Sequence, residues 1–214
     1  FEKEEAMSDA IDAKIEKNEA YLRNRLKNCD DCIIRPMVLG EESRIRCLVV
    51  YIEVAVSNMI LEDSMVGKLI NHLGEMSPAD ILEAVRRDGL GISDVKTLEN
   101  MEDAMAAMLA GNAVFFFDGY TKAIKISSKG YPNLSVSEAT REQVLRGSKE
   151  SFTDAVKTNS ALVRKRIRDT RLKVKEKTLG TRSSTVVQLL YMEDLVRPGI
   201  LETIEERLDS FVID

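Results

Sequence analysis

Few residues in this chain could do chemistry, and their spacing is poor. Cys29, Cys32, Cys47 and the single histidine, His72, are the candidates for thiol, metal or acid–base work. Cys29-Asp30-Asp31-Cys32 has C-x-x-C spacing. A redox pair of that kind needs its first thiolate at a helix N-terminus, where the dipole lowers its pKa, and here the pair leads into a strand-like run. As a zinc knuckle it needs two further ligands, which only Cys47 and His72 are available to supply. An odd cysteine count in a long chain reads better as free thiols in a reducing compartment. His72 has no serine or cysteine arranged toward it as a nucleophile. No G-x-S-x-G, P-loop or G-x-G-x-x-G run is present. The reading is of a chain that is not an enzyme, with no catalytic, cofactor-binding or metal residue assigned.

A basic stretch is the most unusual feature. Between Arg164 and Arg182 nine basic residues face only Asp169 and Glu176, whereas from Glu193 to Asp214 seven acidic residues face Arg197 and Arg207. Arg164, Lys165, Arg166, Arg168, Arg171 and Lys173 form a candidate interaction surface. Its possible occupants are nucleic acid, anionic lipid heads, or an acidic neighbour such as the closing helix of another copy. Near a lipid surface each basic side chain is worth about 1 kcal/mol. A net charge of −5 and the lack of interleaved aromatics argue against nucleic acid. A merely solvated face is the plain alternative to all three.

These residues must be carried by elements, and the patterns supply them. Hydrophobic residues make up 44% of 214 and there is no Trp, so the core is aliphatic. No run approaches the ~20 apolar residues that span a bilayer. Beginning at Phe1, the chain reads as a piece of something longer. Ile11, Ile15, Ala20, Leu22 and Leu26 mark a charged, peripheral helix over 8–27. Strands follow at 32–39 and 45–56, with Pro36 suited to an edge. Helices are expected over 57–73, from the Ser77-Pro78-Ala79-Asp80 start to about 88, and over 98–109 before Gly111. Asp118-Gly119 joins strands 113–117 and 121–126 as a hairpin. After a turn-rich linker at 127–133 come a strand at 140–145 and a helix opened by Ser151 and Asp154 as a capping box. Phe152, Val156, Asn159, Val163 and Ile167 line one face of that helix, Asn159 being the polar exception. Strand 172–177, an apolar strand 185–192 suited to a sheet interior, and a helix from Pro198-Gly199 to about 211 close the chain.

The fold class is therefore α/β of the mixed, α+β kind. A peripheral helix at 1–27 precedes two small α/β subdomains, 28–130 and 131–214, joined by a linker. The second has a β-α-β-β-α order, a split βαβ lacking its last strand.

Gly147-Ser148-Lys149-Glu150-Ser151-Phe152, then Asn159, Leu162, Arg164, Arg166, Ile167, Gly180, Thr185, Val187 and Tyr191, resembles the central signature of the A subunits of bacterial spore germinant receptors, the GerA family. Gly147, Glu150, Ser151, Phe152 and Asn159 are its candidate structural residues. The preceding block, 114–126, is similar to the segment before that signature, and the likeness covers about 30–214. The family more often has Gly-Pro-Arg-Glu where this chain has Ser148, a change in loop stiffness.

The resemblance implies a region ahead of a helical membrane domain, in a receptor of the spore inner membrane, on the spore-core side. Its partners would be a transporter-like B subunit, a lipoprotein C subunit and other copies of A. It implies assembly and signal transduction during nutrient-triggered germination. The alternative is direct binding of a small polar germinant in a cleft between the subdomains.

Overall fold

The computed structural model describes residues 9–39, 45–55, 95–127 and 151–210. The chain divides into two compact units, Phe1–Lys27 with Cys32–Tyr131, and Asn28–Asp31 with Pro132–Asp214. Each combines helices with antiparallel strands, the mixed α/β class expected. The helices expected over 57–73 and 77–88, the linker, the strand at 140–145, His72, Gly147 and Glu150 lie outside the described residues.

In the first unit, β1 (Cys32–Leu39) and β2 (Ile45–Ile52) pair antiparallel, Cys32 opposite Ile52 and Leu39 opposite Ile45. With β3 (Val95–Leu98), β4 (Ala113–Phe117) and β5 (Ala123–Ile126) they form a five-stranded sheet ordered β1-β2-β4-β5-β3. Pro36 falls on the edge strand, where a residue without an N–H is tolerated. The periodicity missed β3, because four residues are too few for alternation to register. No residue of β4 is more than 1% exposed. Successive strand side chains point to opposite faces, so both faces are covered there.

Part of that cover comes from α1 (Ile15–Arg25), against β1, β2 and β4, and from α2 (Met101–Leu109), against β2 to β5. Far from being peripheral, α1 is seated: Ile11, Ile15, Leu22 and Leu26 are at most 7% exposed, and Asn18 joins them at 1%. The helix is shorter than the expected 8–27: Ile15, Asn18 and Leu22 make its buried stripe, Leu26 is at its C-cap, and Ile11 is buried ahead of its first turn. Asn100 caps α2, its Oδ1 accepting the Asp103 N–H at 2.7 Å, and Gly111 ends it at φ 90°.

The second unit contains α3 (Val156–Arg166), β6 (Leu172–Leu179), β7 (Thr185–Met192) and α4 (Ile200–Ser210). β6 and β7 form an antiparallel ladder, Leu172 opposite Met192 and Leu179 opposite Thr185. Segment 28–31 joins β6 in parallel. The Asp30 N–H donates to the Val174 carbonyl at 2.8 Å, and the Val174 N–H donates to that of Asn28 at 3.0 Å. Asn28 reaches this path at φ 61°, a left-handed conformation that asparagine tolerates better than most residues.

Two expectations for this unit are corrected. The proposed capping box does not start α3: the helix begins at Val156 behind Ala155 with no side-chain cap, and Phe152 is 67% exposed. β7 was expected in a sheet interior, yet none of its residues is buried; among the described residues it has a ladder partner on one side only.

Candidate functional site

The second unit is organised around a buried ion pair. Arg164 is near the C-terminal end of α3, and its side chain is 0% exposed. Its Nε donates to Asp31 Oδ2 at 2.9 Å and its Nη2 to Asp31 Oδ1 at 2.8 Å, a bidentate fork onto a carboxylate only 4% exposed. Nη1 donates to the carbonyls of Asp169 and Leu172 at 3.0 and 2.9 Å. One guanidinium thus joins the end of α3, the turn into β6 and the 28–31 segment. Beside it the Cys29 thiol is buried within reach of the Thr170 and Leu172 carbonyls. Asp30 Oδ2 accepts the Glu176 N–H at 2.7 Å.

The candidate basic surface is therefore corrected at two of its six positions. Arg164 is interior, and Lys173 is only 3% exposed, with its Nζ 3.3 Å from Glu193. Burial of a guanidinium requires a carboxylate and carbonyls to replace its water, and residue type alone does not show where those partners are. Arg171 is exposed and bonded to Asp169 and Asp194. Lys165 is half-buried, whereas Arg166 and Arg168 are exposed. Further along β6, Lys175 pairs with Glu205 and Lys177 with Asp209. The acidic closing helix therefore answers the basic strand within one chain rather than in another copy.

Asn159 has a defined duty. Its Oδ1 accepts the Thr153 N–H and its Nδ2 donates to the Thr153 carbonyl, both at 2.7 Å, while Thr153 Oγ1 accepts the Ala155 N–H at 3.2 Å. Asn18 does the same for α1. Its Oδ1 accepts the Asp12 N–H at 2.9 Å, its Nδ2 donates to the Asp12 carbonyl at 2.7 Å, and Asp12 Oδ1 accepts the Lys14 N–H. In each unit an asparagine at the fourth helical position clamps the peptide six residues back, and neither helix has an ordinary side-chain cap. The sequence marked Asn159 but not Asn18, which is on the buried stripe of α1; the apolar face expected for α3 is not its buried one, since Phe152 and Ile167 are exposed and Ser160, Ala161, Leu162 and Arg164 are interior.

A second polar cluster holds α1 in the first unit. Asp118, in the β4–β5 turn, accepts the Ile15 N–H through Oδ1 at 3.2 Å and the Arg46 Nε through Oδ2 at 3.0 Å. Arg46 also pairs with Glu16. The Arg46 guanidinium holds the Asp118 carboxyl below its ordinary range. Beside this cluster a groove of about 340 Å³ runs between α1 and the β1–β2 pair, lined by Ile15, Glu19, Met37, Val38 and Leu48 among others. Cys47 lines it too, and burial pushes its thiol pKa up to about 12, which leaves it protonated and unreactive.

The model of the Bacillus/Clostridium GerA spore germination protein family matches residues 20–214. The uncharacterized membrane protein YfkQ of Bacillus subtilis is 30% identical over 213 residues, covering 100% of this chain and 41% of that protein. Spore germination protein KA of the same organism is 24% identical over 204 residues, covering 95% and 37%. The chain spans about two fifths of the length of these curated relatives. Among solved structures, the N-terminal domain of the A subunit of the Bacillus megaterium spore germinant receptor GerK3 superposes with a TM-score of 0.70. It is 22% identical and matches 96% of this chain and 74% of its own, a likeness of fold.

Proposed function

The chain belongs to the GerA spore germination protein family, and on that premise we propose that it is the part of a germinant-receptor A subunit that works in assembly and signal transduction. Its partners would be the transporter-like and lipoprotein subunits and further A subunits, at the spore inner membrane, with this region on the spore-core side. No helix among the described residues is long and apolar enough to cross a membrane.

The observation that carries this reading is where polar and apolar groups lie in the second unit. The signature arginine, Arg164, is buried on Asp31 and on the Asp169 and Leu172 carbonyls, whereas Phe152 of the same signature block is 67% exposed and β7 keeps its apolar residues partly in solvent. Exposed aliphatic and aromatic side chains on a well-bonded frame suit protein contact better than ligand capture. The test is Phe152→Glu in the full-length receptor. The isolated chain should unfold as the parent does, while recovery of partner subunits in pull-downs and the nutrient response both fall. Normal recovery and normal germination would remove the basis for the reading. Direct binding of a small germinant is the second reading, and the groove beside Arg46 favours it. Saturable NMR shifts at Met37 and Leu48 on titration with amino acids or sugars would support it.

A further inference from the structure

Folding divides the basic stretch. Arg164 is buried on Asp31, and Lys175 and Lys177 pair with α4. Of the rest, Arg182 is in the β6–β7 turn, whereas Lys165, Arg166, Arg168, Arg171 and Lys173 are at the other end of the ladder, where Leu172 pairs with Met192 and the 167–171 and 193–199 loops join it. The Glu193 N–H donates to the Arg171 carbonyl at 2.9 Å, and Arg171 Nη1 donates to Asp194 at 2.8 Å, tying the two loops. Leu195 is 75% exposed, Ile200 43% and Ile167 38%, half of the six exposed large apolar side chains among the described residues. Arg166, Arg168 and Arg197, within two or three residues of these in sequence, are exposed as well. Over 165–173 and 193–202 six cations face four carboxylates, although the whole chain carries −5. Three of those carboxylates, Asp169, Glu193 and Asp194, are paired with Arg171 or Lys173; the fourth, Glu202, is in the first turn of α4.

We propose that this end of the second unit is a lipid-facing surface that takes the anionic headgroups of a bilayer. Guanidinium groups bind phosphate oxygens through forked N–H donors, and aliphatic tips between them can enter the headgroup–acyl boundary. Charge and apolarity coincide here, which is the complementarity an anionic lipid surface presents. Nucleic acid fits less well, since neither 165–173 nor 193–202 contains an aromatic residue to stack on a base. The surface is built for weak, reversible attachment, because few cations are involved and only one apolar side chain is strongly exposed. This inference does not rest on the receptor reading above.

The experiment is co-sedimentation of the 214-residue chain with vesicles of phosphatidylcholine alone and of phosphatidylcholine mixed with phosphatidylglycerol. Binding is expected on the anionic vesicles, weakening as salt is added. Neutralising Arg168 or Arg197 to Gln should lower the partition coefficient about fivefold each, and Leu195→Asp about tenfold. Lys27→Glu, an exposed change in the first unit, should leave only a small general effect. Thermal unfolding of each variant checks that these exposed substitutions preserve the fold. No binding to the anionic vesicles, equal binding to neutral ones, or the same loss from Lys27→Glu as from Arg168→Gln would overturn the proposal. An acidic protein partner would then be the reading left for the exposed arginines.

Discussion

Arg164 shows how much a single side chain can be asked to hold. Its fork onto Asp31 and its bonds to the Asp169 and Leu172 carbonyls are made in the interior with no exposed surface, so its truncation leaves the buried Asp31 carboxyl without that fork. Removing one member of such a pair costs about 3–5 kcal/mol, because the group left behind is buried and loses its opposite charge. Arg164→Ala and Asp31→Ala should each lower stability by that order in urea unfolding, and the double variant should cost well under their sum. Additive losses, or a loss below about 1 kcal/mol as at an exposed ion pair, would show that the pair is not coupled as the geometry requires. The sequence marked Arg164 as unusual for its basic company. Its carboxylate partner lies 133 positions away, a separation no local pattern encodes.

Among the elements, α1 is the one most dependent on distant groups. Its start is capped by Asp118 from the β4–β5 turn, and Glu16 and Asp118 meet on Arg46. The Asp118 carboxyl is held below its ordinary pKa chiefly by the Arg46 guanidinium. Glu16 is lowered first by a backbone N–H and then by Arg46. A carboxyl with a depressed folded pKa contributes stability that is fully present above its unfolded value. That contribution is lost as pH falls through the folded one. The first unit should therefore weaken in acid, below about pH 4. Thermal midpoints taken from pH 6 to pH 3 should fall, and Arg46→Gln should flatten that fall by removing the shared cation. An unchanged slope in the variant would mean that the cluster does not govern α1. The stripe of α1 was legible in part: Ile15 and Leu22 are on it, but Ala20 is exposed, Ile11 precedes the helix, and Asn18 was missed because an asparagine at a core position reads as a break until its peptide partner is seen.

At the scale of the molecule, the second unit is not continuous in sequence. It takes Asn28–Asp31 from far upstream, and those four residues bring the carboxylate for Arg164 and an edge for β6. A chain starting at Pro132 should consequently be much less stable than the same residues within the whole chain. Circular dichroism melts of the two would compare them, and equal midpoints for the second unit would show that the segment is dispensable. Short-range chemistry was enough to place much of the frame. β-Branched runs made β1 and β2, Asp118-Gly119 made the β4–β5 turn with Gly119 at φ 82°, Gly111 stopped α2, and alternation made β6. The residues of 147–191 also carried the family likeness. Those features are written in spacings of two to four residues, where propensity and turn geometry act. Only the tertiary structure decided which charges are interior, that the acidic closing helix neutralises the basic strand of its own chain, and which arginines remain outside beside Leu195. Those outcomes depend on which groups replace water around each charge, and such groups come from segments tens to more than a hundred residues apart.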